Sequence, residues 1–225
     1  MLVDGDLIHF HDPAFAIDGI VALGGPLTIE NLLRAYCSGI FPWPINEHLV
    51  PWCCPEQRGV LDFNNLHISR SLARTKRTTT FHFTIDRSFL EVITSCATVE
   101  RKSESGTWIT PQMTRAYFEL HQAGSAHSVE VWDGTELVGG VYGVDGCGSF
   151  SGESMFTLRP NASKLALLFL IDHLKSRGLD WMDIQMLTPH MEAMGARQIP
   201  RADFLERLAA TQQRKLTLFP TIRQR

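Results

Sequence analysis

The chain predicts an α+β fold, divided into a small N-terminal domain at residues 1–60 and a larger C-terminal domain at residues 61–225. Three observations carry this. Helical and alternating apolar periods succeed one another beyond residue 60, Asp133-Gly134 separates two alternating runs as a hairpin turn would, and the first sixty residues are loop-rich by contrast. A length of 225 residues, 44% apolar and 20% charged, provides for one large domain, or an ordinary one with an appendage.

The elements follow in order. Thr28 reads as the N-cap of a helix with Ile29, Leu32, Leu33 and Tyr36 at helical spacing, stopped by Gly39. Phe41-Pro-Trp-Pro44 comes next, where two prolines forbid helix and hold aromatics on a stiff loop. A helix is expected over about 68–76, a strand over 80–85, and a helix capped by Asp86. Thr110-Pro111 opens another helix as N-cap and first-turn proline, ending at Gly124. Strands over 127–132 and 136–142 flank Asp133-Gly134, and a third runs over about 148–156. A helix over 162–176 stops at Gly178, and a strand over 180–186 and two short helices complete the chain.

An antiparallel meander followed by a strand–helix–strand crossover resembles the acetyltransferase superfold, so the C-terminal domain is expected to be GNAT-like. In that superfold, acetyl-CoA enzymes cradle pyrophosphate in a glycine-rich loop between the third strand and the helix. The corresponding loop here, Thr157-Leu-Arg-Pro-Asn-Ala-Ser163, has no glycine and contains a proline, a poor site for an approaching phosphate. No cofactor is expected.

Composition narrows the function classes. A net charge of −3 argues against coating nucleic acid by bulk charge, but bases are clustered: Arg70, Arg74, Lys76 and Arg77 stand in an acid-free stretch, and residues 197–225 hold seven bases against two acids. Such islands meet phosphates or are solvated helix faces. No apolar run reaches the roughly 18 residues of a membrane span. The N-terminal residues lack the pattern of a signal peptide. Five cysteines without CxxC spacing read as reduced and the protein as cytoplasmic, with Cys53 and Cys54 structural. Nine histidines without ligand spacing predict no metal.

Two segments set acid and amide groups inside strand-like runs: Ser151-Gly-Glu-Ser-Met-Phe156 and Asp183-Ile-Gln185. Such groups are seldom buried without partners. Strand alternation puts Glu153 with Met155 on one face, and Asp183 with Gln185 on another, Ile184 turning away. Two carboxylates and an amide then converge beside apolar side chains, as a polar pocket or as a hydrogen-bond network that only ties strands together.

At this point a family resemblance becomes specific. Gly39-Ile-Phe-Pro-Trp43, Leu66-His-Ile-Ser-Arg-Ser71, Gly106-Thr-Trp-Ile-Thr110, His127-Ser-Val-Glu-Val-Trp132, Leu137-Val-Gly-Gly-Val-Tyr-Gly143, Gly152-Glu-Ser-Met-Phe156, Asn161-Ala-Ser-Lys164 and Gly195-Ala-x-x-Ile-Pro-Arg201 resemble leucyl/phenylalanyl-tRNA–protein transferases, in the family's order. The resemblance implies transfer of Leu or Phe, and less well Met, from aminoacyl-tRNA to proteins with N-terminal Arg or Lys, marking them as N-degrons. It implies Asp183 and Gln185 as the catalytic pair. Glu153 would hold the acceptor amine or the terminal adenosine, with Tyr36, Trp43 and Trp108 around it. Met155, Val141 and Leu170 would line the donor side-chain pocket, and Arg70, Arg74, Lys76 and Arg77, aided by the C-terminal bases, would meet the tRNA backbone. The chain departs from the family's usual pattern at Cys37-Ser38, Trp52-Cys-Cys54, Gly24-Gly-Pro-Leu27, Val141 and Ile184, none of which removes a proposed catalytic group.

The donor is an activated ester, so the expected chemistry is presentation of a neutral amine and stabilisation of an oxyanion, without a covalent enzyme intermediate. Gln185 is expected to orient the amine through its carbonyl while its NH2 bonds Asp183. The alternatives are an acyltransferase using another donor, such as acyl-CoA, and a non-catalytic module that binds tRNA or degrons. A monomer is expected.

Overall fold

The structure is a computed structural model that describes residues 7–46, 49–98 and 108–220. The N-terminal residues 1–6, the first two residues of the Gly106–Thr110 motif, and Arg223 and Arg225 of the basic tail lie outside the described residues.

A small antiparallel sheet opens the chain: β1 (Ile20–Leu23), β2 (Phe41–Pro42) and β3 (Pro51–Cys53), in the order β1–β3–β2. Between β1 and β2 runs α1 (Ile29–Cys37), whose N-cap Thr28 accepts a hydrogen bond from the Asn31 N–H at 3.2 Å. Gly39, at φ +75°, ends it as the sequence predicts.

Among the described residues the main sheet has seven strands: β4 (Gln57–Asp62), β5 (His82–Ile85), β6 (Ala126–Asp133), β7 (Glu136–Asp145), β8 (Phe150–Thr157), β9 (Trp181–Gln185) and β10 (Arg197–Pro200). Their order is β10-β4-β9-β8-β7-β6-β5, with β8 and β9 the parallel neighbours in an otherwise antiparallel sheet. The fold is thus mixed α/β around one large mixed sheet. The expected boundary at residue 60 falls within β4.

Helices cover both faces. On one lies α5 (Ala162–Ser176), which buries Leu167, Leu170 and Ile171 against Val129, Val131, Val141 and Phe150. The short α2 (Arg70–Thr78) joins this cluster through Leu72. On the other face, α3 (Phe89–Thr98) and α4 (Pro111–Gln122) place Val92, Ile93, Met113 and Tyr117 against Tyr142, Val144 and Phe156. Leu32 and Tyr36 of α1, Phe41 and Trp52 belong to that same cluster, so the first sixty residues share a core with the rest. After α6 (Pro189–Ala193), α7 (Arg201–Gln213) packs Phe204 and Leu208 on Trp181, Val60 and Ile199.

Several expectations are corrected. Asp86 does not cap α3: at φ +58° it turns its carboxylate to the Ser128 N–H at 2.9 Å and to His127 Nδ1 at 2.7 Å. Glu130 reaches across instead to the Arg87 and Ser88 N–H groups at 3.3 and 3.4 Å. The last helix is 13 residues long rather than short. The cysteines are not all reduced: Cys37 and Cys147 form a disulfide, Cα–Cα 5.5 Å, joining the end of α1 to the turn between β7 and β8. Strands β4 and β10, which extend the sheet beyond β9, were absent from the sequence reading because four to six residues with Gly59 or Pro200 give little periodicity.

Candidate active site

The site forms at the parallel seam of β8 and β9, where Ser151 stands opposite Asp183. Asp183 is 3% exposed, and its carboxylate accepts four hydrogen bonds. Arg58 Nε and Nη2 donate at 2.8 and 2.7 Å, the Ser151 hydroxyl at 2.9 Å and the Gln185 main-chain N–H at 2.8 Å. Arg58, 1% exposed on β4, is sandwiched between Phe41 and Phe204, its Cζ 4.6 and 4.4 Å from their ring centres. Burial works against the guanidinium's charge, but Asp183 outweighs it and holds Arg58 above its ordinary value.

Gln185 ends β9 at φ +61°, and the Met186 N–H closes a three-residue turn onto the Ile184 carbonyl at 2.7 Å. A non-glycine residue in this region is strained and needs external support. Asp183 supplies it through the Gln185 N–H. Gly59 makes room: a Cβ there would come within 2.9 Å of the Met186 main chain.

The register of β7 and β8 steps from Tyr142–Ser154 to Gly143–Gly152, leaving Glu153 as the extra residue of a β-bulge. The bulge re-aims its side chain. Glu153 Oε1 accepts from the Tyr36 hydroxyl at 2.8 Å and from Gln185 Nε2 at 2.6 Å, while Oε2 accepts from the Tyr117 hydroxyl at 3.3 Å. The Tyr36 and Tyr117 hydroxyls also meet, one of them sharing its proton between this contact and Glu153. Burial pushes the Glu153 carboxyl up to about 7; the Tyr36 bond opposes this and nearby Asp183 adds to it. Both phenols are raised well above their ordinary value, first by burial and then by Glu153.

Glu153 opens onto a cavity of about 310 Å³ that is otherwise largely apolar, walled by Val141, Met155, Leu167, Met182, Ile184 and Met191, with Thr188 and His190 at its polar margin. That volume is at the lower end for small-molecule sites, about 300–1,000 Å³. Val141 and Met155, assigned by resemblance to a donor pocket, both line this cavity. Leu170 packs in the same core cluster without lining the cavity; Leu167, one turn earlier on α5, takes that place. Among the described residues, no cluster of His, Cys, Asp and Glu suits a metal ion.

Trp43 and Trp108 stack on each other, centroids 5.3 Å apart and planes 14° from parallel, half-buried against the cluster that holds Tyr36. Arg70, Arg74, Lys76 and Arg77 all stand exposed on α2, and Lys76 pairs with Asp172 at 2.6 Å. The C-terminal bases are more committed: Arg197 and Arg207 pair with Asp62, Arg214 with Asp180, and Arg201 donates to the Cys54 carbonyl.

One expected contact is corrected: the Gln185 NH2 bonds Glu153, and Asp183 is reached by the Gln185 main-chain N–H. Ile184 lines the cavity, which Asp183 does not. Three residues of the site were missed: Arg58, Ser151 and Tyr117. Tyr117 was concealed by its helical phase with Met113 and Leu120, which reads as plain core. Arg58 gave no local signal, standing in a short, glycine-interrupted run that does not read as strand.

Fold and site together define an α/β protein with a buried carboxylate–amide–phenol cluster opening onto an apolar cavity. Residues 60–209 match the family described as leucyl/phenylalanyl-tRNA protein transferase, and residues 25–56 match that family's N-terminal domain. The chain is similar to the leucyl/phenylalanyl-tRNA--protein transferase of Pseudoalteromonas atlantica, 47% identical over 204 residues, covering 89% of this chain and 87% of that one. The Anaeromyxobacter dehalogenans protein of the same name is 46% identical over 217 residues, covering 96% and 91%. That of Nitratidesulfovibrio vulgaris is 48% identical over 188 residues, covering 84% and 80%. This chain belongs to the leucyl/phenylalanyl-tRNA–protein transferase family.

Proposed function

We propose that the chain is a tRNA-dependent aminoacyltransferase. It moves Leu or Phe, and less well Met, from aminoacyl-tRNA to the free α-amino group of proteins with N-terminal Arg or Lys, creating an N-degron. Besides family membership, the observation that carries this reading is Glu153, hydrogen-bonded to Gln185, on the wall of a Met-lined cavity of about 310 Å³. An apolar side chain held there leaves its ester carbonyl beside the polar pair. Methionines adapt to more than one apolar shape, which suits Leu and Phe alike.

Each residue then has a part. Met155 and Val141 contact the donor side chain, with Leu170 supporting the wall from α5. Gln185 orients the attacking amine through its carbonyl oxygen, its NH2 being held by Glu153. Asp183, the other member of the expected catalytic pair, acts through Gln185 by fixing its strained main chain. Glu153 faces the acceptor amine, with Tyr36 beside it. Trp43 and Trp108 offer stacking surfaces for the terminal adenosine, and Arg70, Arg74, Lys76 and Arg77 meet the tRNA backbone. No cofactor or metal takes part.

The order β6–β7–β8, α5, β9 supports the GNAT-like reading of residues 61–225 beside a small domain at 1–60. Among the described residues no helix is long and apolar enough to cross a membrane. We place the activity in the cytoplasm, on a monomer. The test is transfer of labelled Leu from Leu-tRNA to a peptide beginning with Arg, beside its N-acetylated twin. Product from the free amine alone supports the reading; no product from either removes it.

A further inference from the structure

We propose that Glu153, and not Asp183, takes the proton from the acceptor's α-ammonium. The inference rests on the aminoacyltransferase reading and adds the proton's destination to it. A carboxylate that accepts a substrate proton needs an uncommitted lone pair within reach. Asp183 has none to spare: both oxygens are bonded to Arg58, and each takes a further bond, from Gln185 N–H and from Ser151. It does not line the cavity. Glu153 does, and among the described residues its Oε2 holds a single bond, from Tyr117 at 3.3 Å.

The surroundings of Glu153 suit a group that exchanges a proton near neutrality. Tyr36 from α1 and Tyr117 from α4 donate to its anionic form, and Gln185 from β9 does likewise. Asp183 opposes its charge, Arg58 being spent on Asp183, and His190 from α6 stands on the cavity wall, its pKa lowered by burial and by Lys164. Burial against these donors leaves the carboxyl at about 7. An α-amino group sits at about 7.7–8.0, so proton transfer between the two is nearly matched, as general-base catalysis requires.

The step balances. An ammonium N–H bond breaks, the proton passes to Glu153, and the electron pair stays on nitrogen. Nitrogen attacks the ester carbonyl carbon, forming the C–N bond. Collapse breaks the ester C–O bond, a second nitrogen proton leaves with the ribose oxygen as a hydroxyl, and Glu153 returns its proton to solvent.

The experiment is kcat for Leu transfer to saturating Arg-peptide from pH 6 to 9.5, in wild type, Glu153→Gln and Tyr117→Phe. Glu153→Gln is expected to lower kcat about 10²-fold near pH 7, the lower end for a general base. That deficit should narrow above about pH 9, where the amine arrives neutral. Tyr117→Phe, which removes a donor to the carboxylate, is expected to move the acid limb to higher pH while the protein stays folded. A Glu153→Gln deficit that is the same at every pH, or an acid limb unmoved in Tyr117→Phe, overturns the inference. A wild type inactive at every pH overturns the aminoacyltransferase reading itself.

Discussion

Arg58 grips both carboxylate oxygens of Asp183, at 2.8 and 2.7 Å, across 125 residues of sequence and with neither side chain more than 4% exposed. This pair anchors β4 to β9 and stiffens the backbone that presents Gln185. Removing one partner strands a buried charge. Arg58→Met is therefore expected to cost about 3–5 kcal/mol in denaturant unfolding. The double variant Arg58→Met, Asp183→Leu should recover much of that stability without recovering transfer.

Gln185 carries backbone strain at φ +61°. Gln185→Gly relieves it, whereas Gln185→Ala retains it, a difference of about 1–2 kcal/mol for a left-handed residue. Thermal unfolding should rank Gly above Ala, and transfer should be lost in both.

Met155 and Val141 face each other across β7 and β8 and both line the cavity. Met155→Phe fills part of that space. Transfer of Phe should fall more than transfer of Leu, shifting the ratio about 10-fold, the effect of roughly one methylene in an apolar pocket.

The Cys37–Cys147 disulfide closes a sequence separation of 110 residues. Reduction is expected to lower stability by about 2–4 kcal/mol, read as a fall in Tm with dithiol added. Cys37→Ser should lower Tm similarly and abolish the response to dithiol.

Folding lifts the Glu153 carboxyl from 4.5 to about 7. The native state thus binds this proton more tightly than the unfolded chain, so stability falls as pH rises from about 4.5 to about 7 and levels off above. The full cost, on the order of 3 kcal/mol at 1.36 kcal/mol per pKa unit, is present at pH 8. Glu153→Gln should be more stable relative to wild type at pH 8 than at pH 5, measured by denaturant unfolding at both.

Local signals carried most of the fold. Thr110 caps α4, Asp133-Gly134 turns the hairpin, and α5 runs over 162–176 as its apolar spacing predicts. What escaped was set by distant partners. Arg58 in a loop-rich stretch gives no sign that its carboxylate lies in β9, and five unpatterned cysteines give none that Cys37 meets Cys147. The candidate site was legible as acid and amide in strand-like runs, but its wiring was not. Simple alternation does not foresee the bulge at Glu153 or the positive φ at Gln185, which together turn Gln185 to Glu153 rather than to Asp183. Functional sites are where local rules are expected to fail.

The most direct measurement is single-turnover transfer of labelled Leu from Leu-tRNA to an Arg-peptide by wild type and Asp183→Asn, with tRNA affinity and folding followed in parallel. Wild type is expected to transfer to the free amine but not to its acetylated twin. For Asp183→Asn the expected rate is at least about 10²-fold lower, with tRNA bound as before. Folded wild-type protein that binds the tRNA and transfers nothing would contradict the transferase reading, leaving a module that binds without catalysing.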